Sequence, residues 1–391
     1  MNKVRRIILA ALFMTASGVR AQGSEELAAL QKQLNELSAK IAQMESANAE
    51  KIAKIEADAS KNKIPAWVND TKFKGDFRYR YENIDKANAN YKDRQRVRLR
   101  VGAYGKVNDY VDYGVRLATG GASATSANQD VDGGTKKEFM LDQYYVDLHP
   151  QMLQGAHLIM GKMPQPWEGR TGLIWDSDLN PEGVAMKYKN TYSNGVTLIA
   201  NAGSFVLKED KSDDLQLWAG QLVGETKVGD AKVILGVSDF YYQRADSQGA
   251  GAGLTTGANT PGTDFHLVEG FGSVGTKVGD LPVTFNGQYV VNVAAASSDD
   301  TAYLFGFSVG KAKNKGDWEA GYNYRDTGAD AVPDGFNDSD FAYGTTASHG
   351  HSFWAKYQLA KNLQAGATYL MAVNNAGQDV NTMQLDLNFK F

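Results

Sequence analysis

The spacing of apolar positions changes once along the chain, and each spacing names a different element. Leu27, Leu30, Leu34, Leu37, Ile41 and Met44 recur at alternating intervals of three and four, the a/d seam of a heptad helix. Ser24-Glu25-Glu26 stand just before it, a capping side chain and early acids that the helix dipole favours. Asn48 takes the next a position, and Ile52 and Ile55 resume the pattern after a four-residue shift, a stutter. A lone helix cannot bury so narrow a stripe. Two readings stand: a short coiled coil, with three strands as one option, or a helix laid on its own domain. Leu at a and d does not fix the strand number. Pro65 ends the helix, because proline disfavours helix before it and cannot continue one.

After Trp67 the period falls to two and stays there to the last residue. In 72–84, Phe73, Phe77, Tyr79 and Tyr81 alternate with Lys74, Asp76, Arg78, Arg80 and Glu82. In 94–104, Val97, Leu99, Val101 and Ala103 alternate with Arg94, Arg96, Arg98 and Arg100. At the end, Met383, Leu385, Leu387, Phe389 and Phe391 alternate with Thr382, Gln384, Asp386, Asn388 and Lys390. This pattern predicts sixteen strands, at 72–84, 93–106, 111–119, 138–149, 157–163, 183–190, 196–205, 214–224, 231–244, 264–278, 283–296, 301–313, 317–326, 349–359, 363–373 and 379–391. Several connections are short, as at 107–110 and 278–282, and others long, as at 120–137, 164–182, 245–263 and 327–348. A soluble sandwich has no reason to sort its loops by parity. A transmembrane barrel does, with short turns on the periplasmic side and long loops outside. In lipid every backbone N–H and C=O must be paired, so a spanning sheet closes on itself. One face of each strand then meets hydrocarbon and the other water. The expected fold class is all-β: an antiparallel up-and-down transmembrane barrel of about sixteen strands behind a short helical coiled coil.

Lys3, Arg5 and Arg6 precede the apolar run 7–16, and Val19 and Ala21 occupy the −3 and −1 positions of a cut before Gln22. This reads as a secretory signal peptide, and the run is too short to span a bilayer. The expected organisation is signal peptide 1–21, periplasmic coiled-coil helix 22–60, linker 61–71 and barrel 72–391. Over the whole chain 41 basic residues face 45 acidic ones. Removing Lys3, Arg5, Arg6 and Arg20 with the signal leaves 37 basic residues, a net charge of −8, which excludes a strongly basic nucleic-acid binder. The chain has no cysteine, so a disulfide scaffold, a thiolate zinc site and a cysteine nucleophile are excluded together.

Certain stretches carry a resemblance. They are Lys72-Phe73-Lys74-Gly75-Asp76-Phe77-Arg78-Tyr79-Arg80-Tyr81, Arg94-Gln95-Arg96-Val97-Arg98-Leu99-Arg100, Leu141-Asp142-Gln143-Tyr144-Tyr145-Val146-Asp147, Gly161-Lys162-Met163-Pro164-Gln165-Pro166-Trp167 and Trp175-Asp176-Ser177-Asp178-Leu179-Asn180-Pro181-Glu182-Gly183. With the terminal Phe391, they make the chain similar to outer-membrane porins of Gram-negative bacteria, distant relatives of the phosphate-selective porins. The resemblance implies a sixteen-stranded porin, commonly a homotrimer, passing small hydrophilic solutes and ions, and it assigns no solute.

Period two places Arg78, Arg80, Arg96, Arg98, Arg100 and Arg116 on the polar face of three consecutive strands, a candidate basic pore lining. Charged rings in a narrow pore decide which ions pass. The loop 164–182, carrying Glu168, Asp176, Asp178 and Glu182, is the candidate constriction. One reading sets wall and loop opposite each other with a transverse field between them. The other pairs the arginines locally with Asp76, Glu82, Asp93 and Asp112. The acidic segment 334–340 reads as a solvated loop rather than a calcium site. Trp67, Tyr81, Tyr104, Trp167, Trp318, Tyr322, Phe389 and Phe391 are candidates for interfacial aromatic girdles. Ser348-His349-Gly350-His351-Ser352 holds the letters of a lipase, but neighbours on a strand point to opposite faces. The glycine-rich stretch 249–257 opens no helix. The expectation is a channel that is no enzyme and needs no cofactor or metal. Its partners are outer-membrane lipid, further copies of itself, solutes and ions, with an envelope tether to peptidoglycan through the helix as the alternative role.

Overall fold

A computed structural model describes residues 24–61, 66–87, 91–169, 171–211 and 213–391. The expected signal peptide 1–21 and part of the linker, 62–65, lie outside them. Helix and barrel are separate units. Helix α1 (Ser24–Lys61) is one continuous element of 38 residues. Its seam residues Leu30, Leu34, Leu37, Ile41, Met44, Ile52 and Ile55 are all exposed. No described helix is long and apolar enough to cross a membrane. A single helical turn, α2 (Ala66–Asn69), comes before the first strand.

The strands are β1 (Lys72–Lys86), β2 (Lys92–Asn108), β3 (Val111–Thr119), β4 (Gln129–Asp130), β5 (Phe139–Leu148), β6 (Ala156–Lys162), β7 (Glu182–Thr191), β8 (Thr197–Lys208), β9 (Leu215–Val228), β10 (Ala231–Gln243), β11 (Phe265–Val278), β12 (Leu281–Asn292), β13 (Thr301–Gly310), β14 (Trp318–Thr327), β15 (Ser348–Ala360), β16 (Leu363–Val373) and β17 (Asp379–Lys390). All but β4 form the barrel wall, giving sixteen staves. Each stave pairs antiparallel with the next, β3 with β5 directly, and β17 pairs with β1 to close the ring. The two-residue β4 lies against β2 at Arg96 and Val97. Every predicted strand is present with its ends moved by a few residues. The largest change is β12, which stops at Asn292 because the Asn292 side chain turns the chain into the next loop by accepting from the Ala294 amide.

The alternation sorts the two faces. On β9, Leu215, Leu217, Gln221 and Val223 are buried while Trp218 and Leu222 are exposed; on β10, Ser238, Phe240 and Tyr242 are buried while Leu235, Val237 and Tyr241 are exposed. The exposed set is the outward, lipid-facing one, as a membrane barrel requires. The packed core therefore lies inside the barrel. It joins loop L3 (163–181) to the inner wall through Met163, Trp167, Leu173, Ile174, Trp175 and Leu179, which meet Phe205, Phe240, Tyr242 and Phe265. Trp167 sits edge-on to Phe205 and Phe240, with ring centroids 5.5 and 5.3 Å apart. Trp167, expected in a girdle, is thus an interior anchor, because L3 folds inward and carries it away from the interface. Tyr104 shares the inner face of β2, where the Lys74 ammonium lies over its ring.

L3 leaves the wall after β6 and rejoins it at β7. At that neck Gly161 and Gly183 stand directly opposite each other, both with positive φ. A Cβ at Gly161 would press into the Tyr144 carbonyl and one at Gly183 into the Ser204 carbonyl, so only glycine lets the loop depart here.

The two faces predict opposite tolerances to charge. Val237→Arg, on the outer face of β10, should lower the free energy of refolding into lipid vesicles by about 2–4 kcal/mol if the site lies near the midplane. Asn286→Arg, on the inner face of β12, should cost far less in the same titration.

Candidate functional site

The register of β1, β2 and β17 builds a ladder of guanidinium groups on the inner wall. Arg78 stands opposite Arg98 and Arg80 opposite Arg96. Like charges placed directly across a sheet repel, so the ladder needs acids between its rungs. Asp76 stands opposite Arg100 and Glu82 opposite Arg94, and Asp386 stands opposite Arg80 from the other side. Asp386 takes Arg80 in a two-pronged contact at 2.7 and 2.9 Å, the fork geometry in which arginine binds a carboxylate best. Asp76 is shared by Arg98 at 3.0 Å and Arg100 at 2.8 Å. Arg94 binds Glu82, Arg96 lies 3.0 Å from Asp130 of β4, and Arg116 pairs with Asp142. Among the described residues Arg78 alone of this wall makes no ion pair; it donates to the Asn128 side-chain oxygen at 2.6 Å.

Inward-folded loops supply the remaining acids. Asp178 of L3 lies 3.4 Å from both Arg98 and Arg100, and it accepts the Ala127 amide of loop L2 (120–138). Asp340 of loop L7 (328–347) lies 2.8 Å from Arg80. Burial opposes ionisation of Asp340, but the Arg80 charge and hydrogen bond outweigh it and hold the carboxyl below its ordinary range. Wall and loop acids are therefore in contact at these points. Local pairing and the facing loop hold together in one network.

The four loop acids have separate places. Asp178 touches the ladder. Asp176 is buried and fastens L3 to L7, its carboxylate accepting the amides of Asp178 at 2.8 Å and Ser339 at 2.9 Å. Burial, and after it the charge of Asp338, pushes the Asp176 carboxyl up to about 7. Glu168 borders a cavity described below. Glu182 begins β7 on the outer face, in step with exposed Val184 and Met186, and accepts the Tyr144 hydroxyl; the neck ends the loop before it, so it is not a constriction acid. Of the proposed local partners, Asp93 binds Tyr81 and Asn83, and Asp112 lies beside His149.

The segment 334–340, expected as a solvated loop, is packed inside the barrel. Asp334 is 3% exposed and accepts the amides of Thr256 and Ala258 at 2.6 and 2.7 Å. Phe336 stacks on Trp175. Asp338 binds Arg325 at 2.9 Å, and the Arg325 guanidinium lies 4.2 Å over the Phe341 ring. The run Asp334-Gly335-Phe336, with an aromatic inside an acidic loop, was the available hint. Among the described residues no group of three or more histidine or acidic side chains is arranged to hold a metal.

On the opposite wall a belt of polar side chains holds L3 below its aromatic anchors. Asn201 donates to Gln221 at 3.0 Å, Gln221 to Ser238 at 3.0 Å, and Ser238 to the buried Glu269 at 2.5 Å. Gln288 also donates to Glu269, and Thr171 of L3 to Gln288. Gln221 further accepts the Glu168 amide at 2.8 Å. Beneath L3 and L7 lies a cavity of about 730 Å³, bordered by Glu168, Glu225, Asn286, Arg325, Asp338 and Lys356. Its lining mixes both charges, amides and hydroxyls with apolar side chains such as Ile199, Val223, Ile234 and Phe271.

A closed sixteen-stave barrel with inward loops and a charged interior is matched in solved structures. OprB of Pseudomonas putida, in its high-pH structure, superposes with a TM-score of 0.57 at 12% identity, covering 83% of this chain and 95% of that one. OmpF of Salmonella typhi, in complex with daunomycin, superposes with a TM-score of 0.53 at 10% identity, covering 82% and 97%. No curated protein matches by sequence. The family model described as "Putative porin" matches residues 85–266 and 281–391. The chain belongs to this porin family. It is an outer-membrane β-barrel channel. In the porin, the helix-to-strand change of period marks the barrel's start, and the ladder, L3 and L7 form the charged section of its interior.

Two outcomes follow for the loop anchors. Between about pH 4 and 7 the folded porin keeps a proton on Asp176 that an unfolded chain has lost, so this group's contribution to stability falls as pH rises through that window. Thermal unfolding in detergent should show that fall, and Asp176→Asn should flatten it. Glu269→Ala leaves Ser238 and Gln288 without their shared acceptor, at a cost of about 1–3 kcal/mol; in bilayer recordings it should add current fluctuations as L3 loosens.

Proposed function

We propose that the porin is a passive channel for small hydrophilic solutes and ions whose charge preference is set by the guanidinium ladder and the acids of L3 and L7. The observation that carries this reading is the meeting of Arg98 and Arg100 with both Asp76 on the wall and Asp178 on the loop. Arginine stays charged at every working pH, and charges in a narrow interior with low-dielectric walls act strongly on passing ions. Arg78, Arg80, Arg96 and Arg116 extend the same wall. A polar solute crossing between ladder and cavity would turn its dipole in this field, and a bulky apolar one would gain nothing from it. The polar side chains of the belt and the apolar core hold the inward loops in place. His349 is exposed on β15 while its neighbour Ser348 is buried, which separates the two letters of the lipase reading.

The seam of α1 supports a second role. Seven apolar side chains at heptad spacing, all exposed, favour pairing with the same seam of other copies. We place the porin as a trimer through this helix, with the envelope tether to peptidoglycan as the alternative use of the same element.

Arg98→Gln combined with Arg100→Gln removes two positive charges and frees Asp76 and Asp178. The zero-current potential in a salt gradient should then move toward cation preference. An unmoved potential removes these residues from the selectivity account. Replacing Leu34 and Leu37 by lysine should convert the oligomer to monomers in detergent, read by light scattering, with single-channel conductance retained.

A further inference from the structure

The short-turn end of the barrel holds a charged cluster that neither the ladder nor the loops explain. On β3 and β5, Asp112 and Asp147 stand directly opposite each other. Each has an imidazole beside it: His149 Nε2 lies 3.4 Å from Asp112, and His157 Nδ1 lies 3.0 Å from Asp147. The two rings are 5.7 Å apart. All four groups sit at the start of β3, the end of β5, the following turn and the start of β6, where the barrel opens to the periplasm. Tyr145, one turn of the pleat above, packs against the interior core, so this face of β5 is the inner one. The neighbouring inner positions are basic: Lys106 stands opposite Asp112, and Lys187 opposite His157.

We infer that this cluster is a second charge filter, a proton-controlled one, at the periplasmic mouth, and that His149 and His157 set how strongly the porin attracts cations there. Histidine is the side chain whose charge changes between pH 5 and 8, whereas lysine and aspartate side chains ordinarily change theirs outside that range. With neutral imidazoles the two lysines and two carboxylates balance. Protonating both rings adds two positive charges to one end of the passage, and a charged ring at a mouth raises the local concentration of the opposite ion. Asp112 Oδ1 and His149 Nε2 are both sealed from solvent, and neither has a hydrogen-bond partner. A charged imidazole turns that unsatisfied contact into an ion pair. The inference concerns the opposite end of the barrel from the ladder's loop contacts and does not require them.

The test uses the purified full-length porin in planar bilayers under a tenfold potassium chloride gradient. Lowering both chambers from pH 8 to pH 5 should move the zero-current potential of the native protein toward anion preference. His149→Gln combined with His157→Gln should lose most of that movement. Asp176→Asn, which removes a loop carboxyl that titrates near neutrality far from this mouth, should keep it. Acidifying one chamber at a time should produce the shift from the periplasmic-facing side only. Asp112→Asn combined with Asp147→Asn should already display the anion-shifted potential at pH 8, which covers the case of a histidine variant that fails to fold. A native potential that stays still between pH 8 and pH 5, an undiminished shift in the double histidine variant, or an aspartate variant identical to the native protein at pH 8 overturns the proposal.

Discussion

Hydrocarbon offers a peptide group no hydrogen-bond partner, and the rest of this structure is a consequence of that. A spanning strand must pair on both edges, so the sheet has to close, and β17 completes the ring against β1 along eleven residue pairs from Asp76–Lys390 to Lys86–Val380. Closure sends one side of every strand to lipid and the other inward. Each strand then alternates apolar and polar residues, and overall hydropathy stays low, with a mean hydropathy of −0.41.

Closure also inverts the usual arrangement of a globular protein. The outer surface is apolar, while packed aromatics, polar belt and ion pairs are enclosed. Trp167, Trp175 and Phe336 gather on one inner side with Phe240 and Tyr242, and the arginine ladder occupies another. L3 lies between them. Its indoles grip the apolar side, its Asp178 reaches the ladder, and its backbone at Glu168 rests on Gln221. A loop held by three kinds of contact is a fixed obstacle in the passage, and the field around it is correspondingly fixed. L7 reinforces it through Asp176 and the Ser339 amide, so these two inward segments brace each other.

The ladder shows how charge is tolerated in such an interior. Two arginine pairs face each other directly, an arrangement that a sheet in isolation would reject. Shared carboxylates between the rungs make it stable: Asp76 serves two arginines, and Glu82 and Asp386 flank the others. Removing one partner of a buried pair leaves the other uncompensated, so the ladder acts as a unit, and its net field is smaller than seven bare guanidinium groups would give.

The alternating pattern made the strands, their number and their facing legible from residue order alone, because pleat and membrane together demand period two. Arg78, Arg80, Arg96, Arg98, Arg100 and Arg116 could be assigned to one face for the same reason, and Asp76 and Glu82 to the same face beside them. The helix was legible from its heptads. The acids that meet the ladder were another matter. Asp340 lies far along the chain from Arg80, and Asp386 farther still; only ring closure and the inward fold of L7 bring them within reach. Glu182 and Trp167 were misplaced for one reason: where L3 leaves the wall depends on the glycine neck, and a shift of one residue there exchanges inside for outside. The His149–His157 pair likewise became visible only once β3, β5 and β6 were laid side by side. Local order thus determines what each strand shows to either face, since that depends on neighbours two residues apart. Which charges meet depends on strand register and loop path, and those are settled by contacts between segments that the linear chain keeps apart.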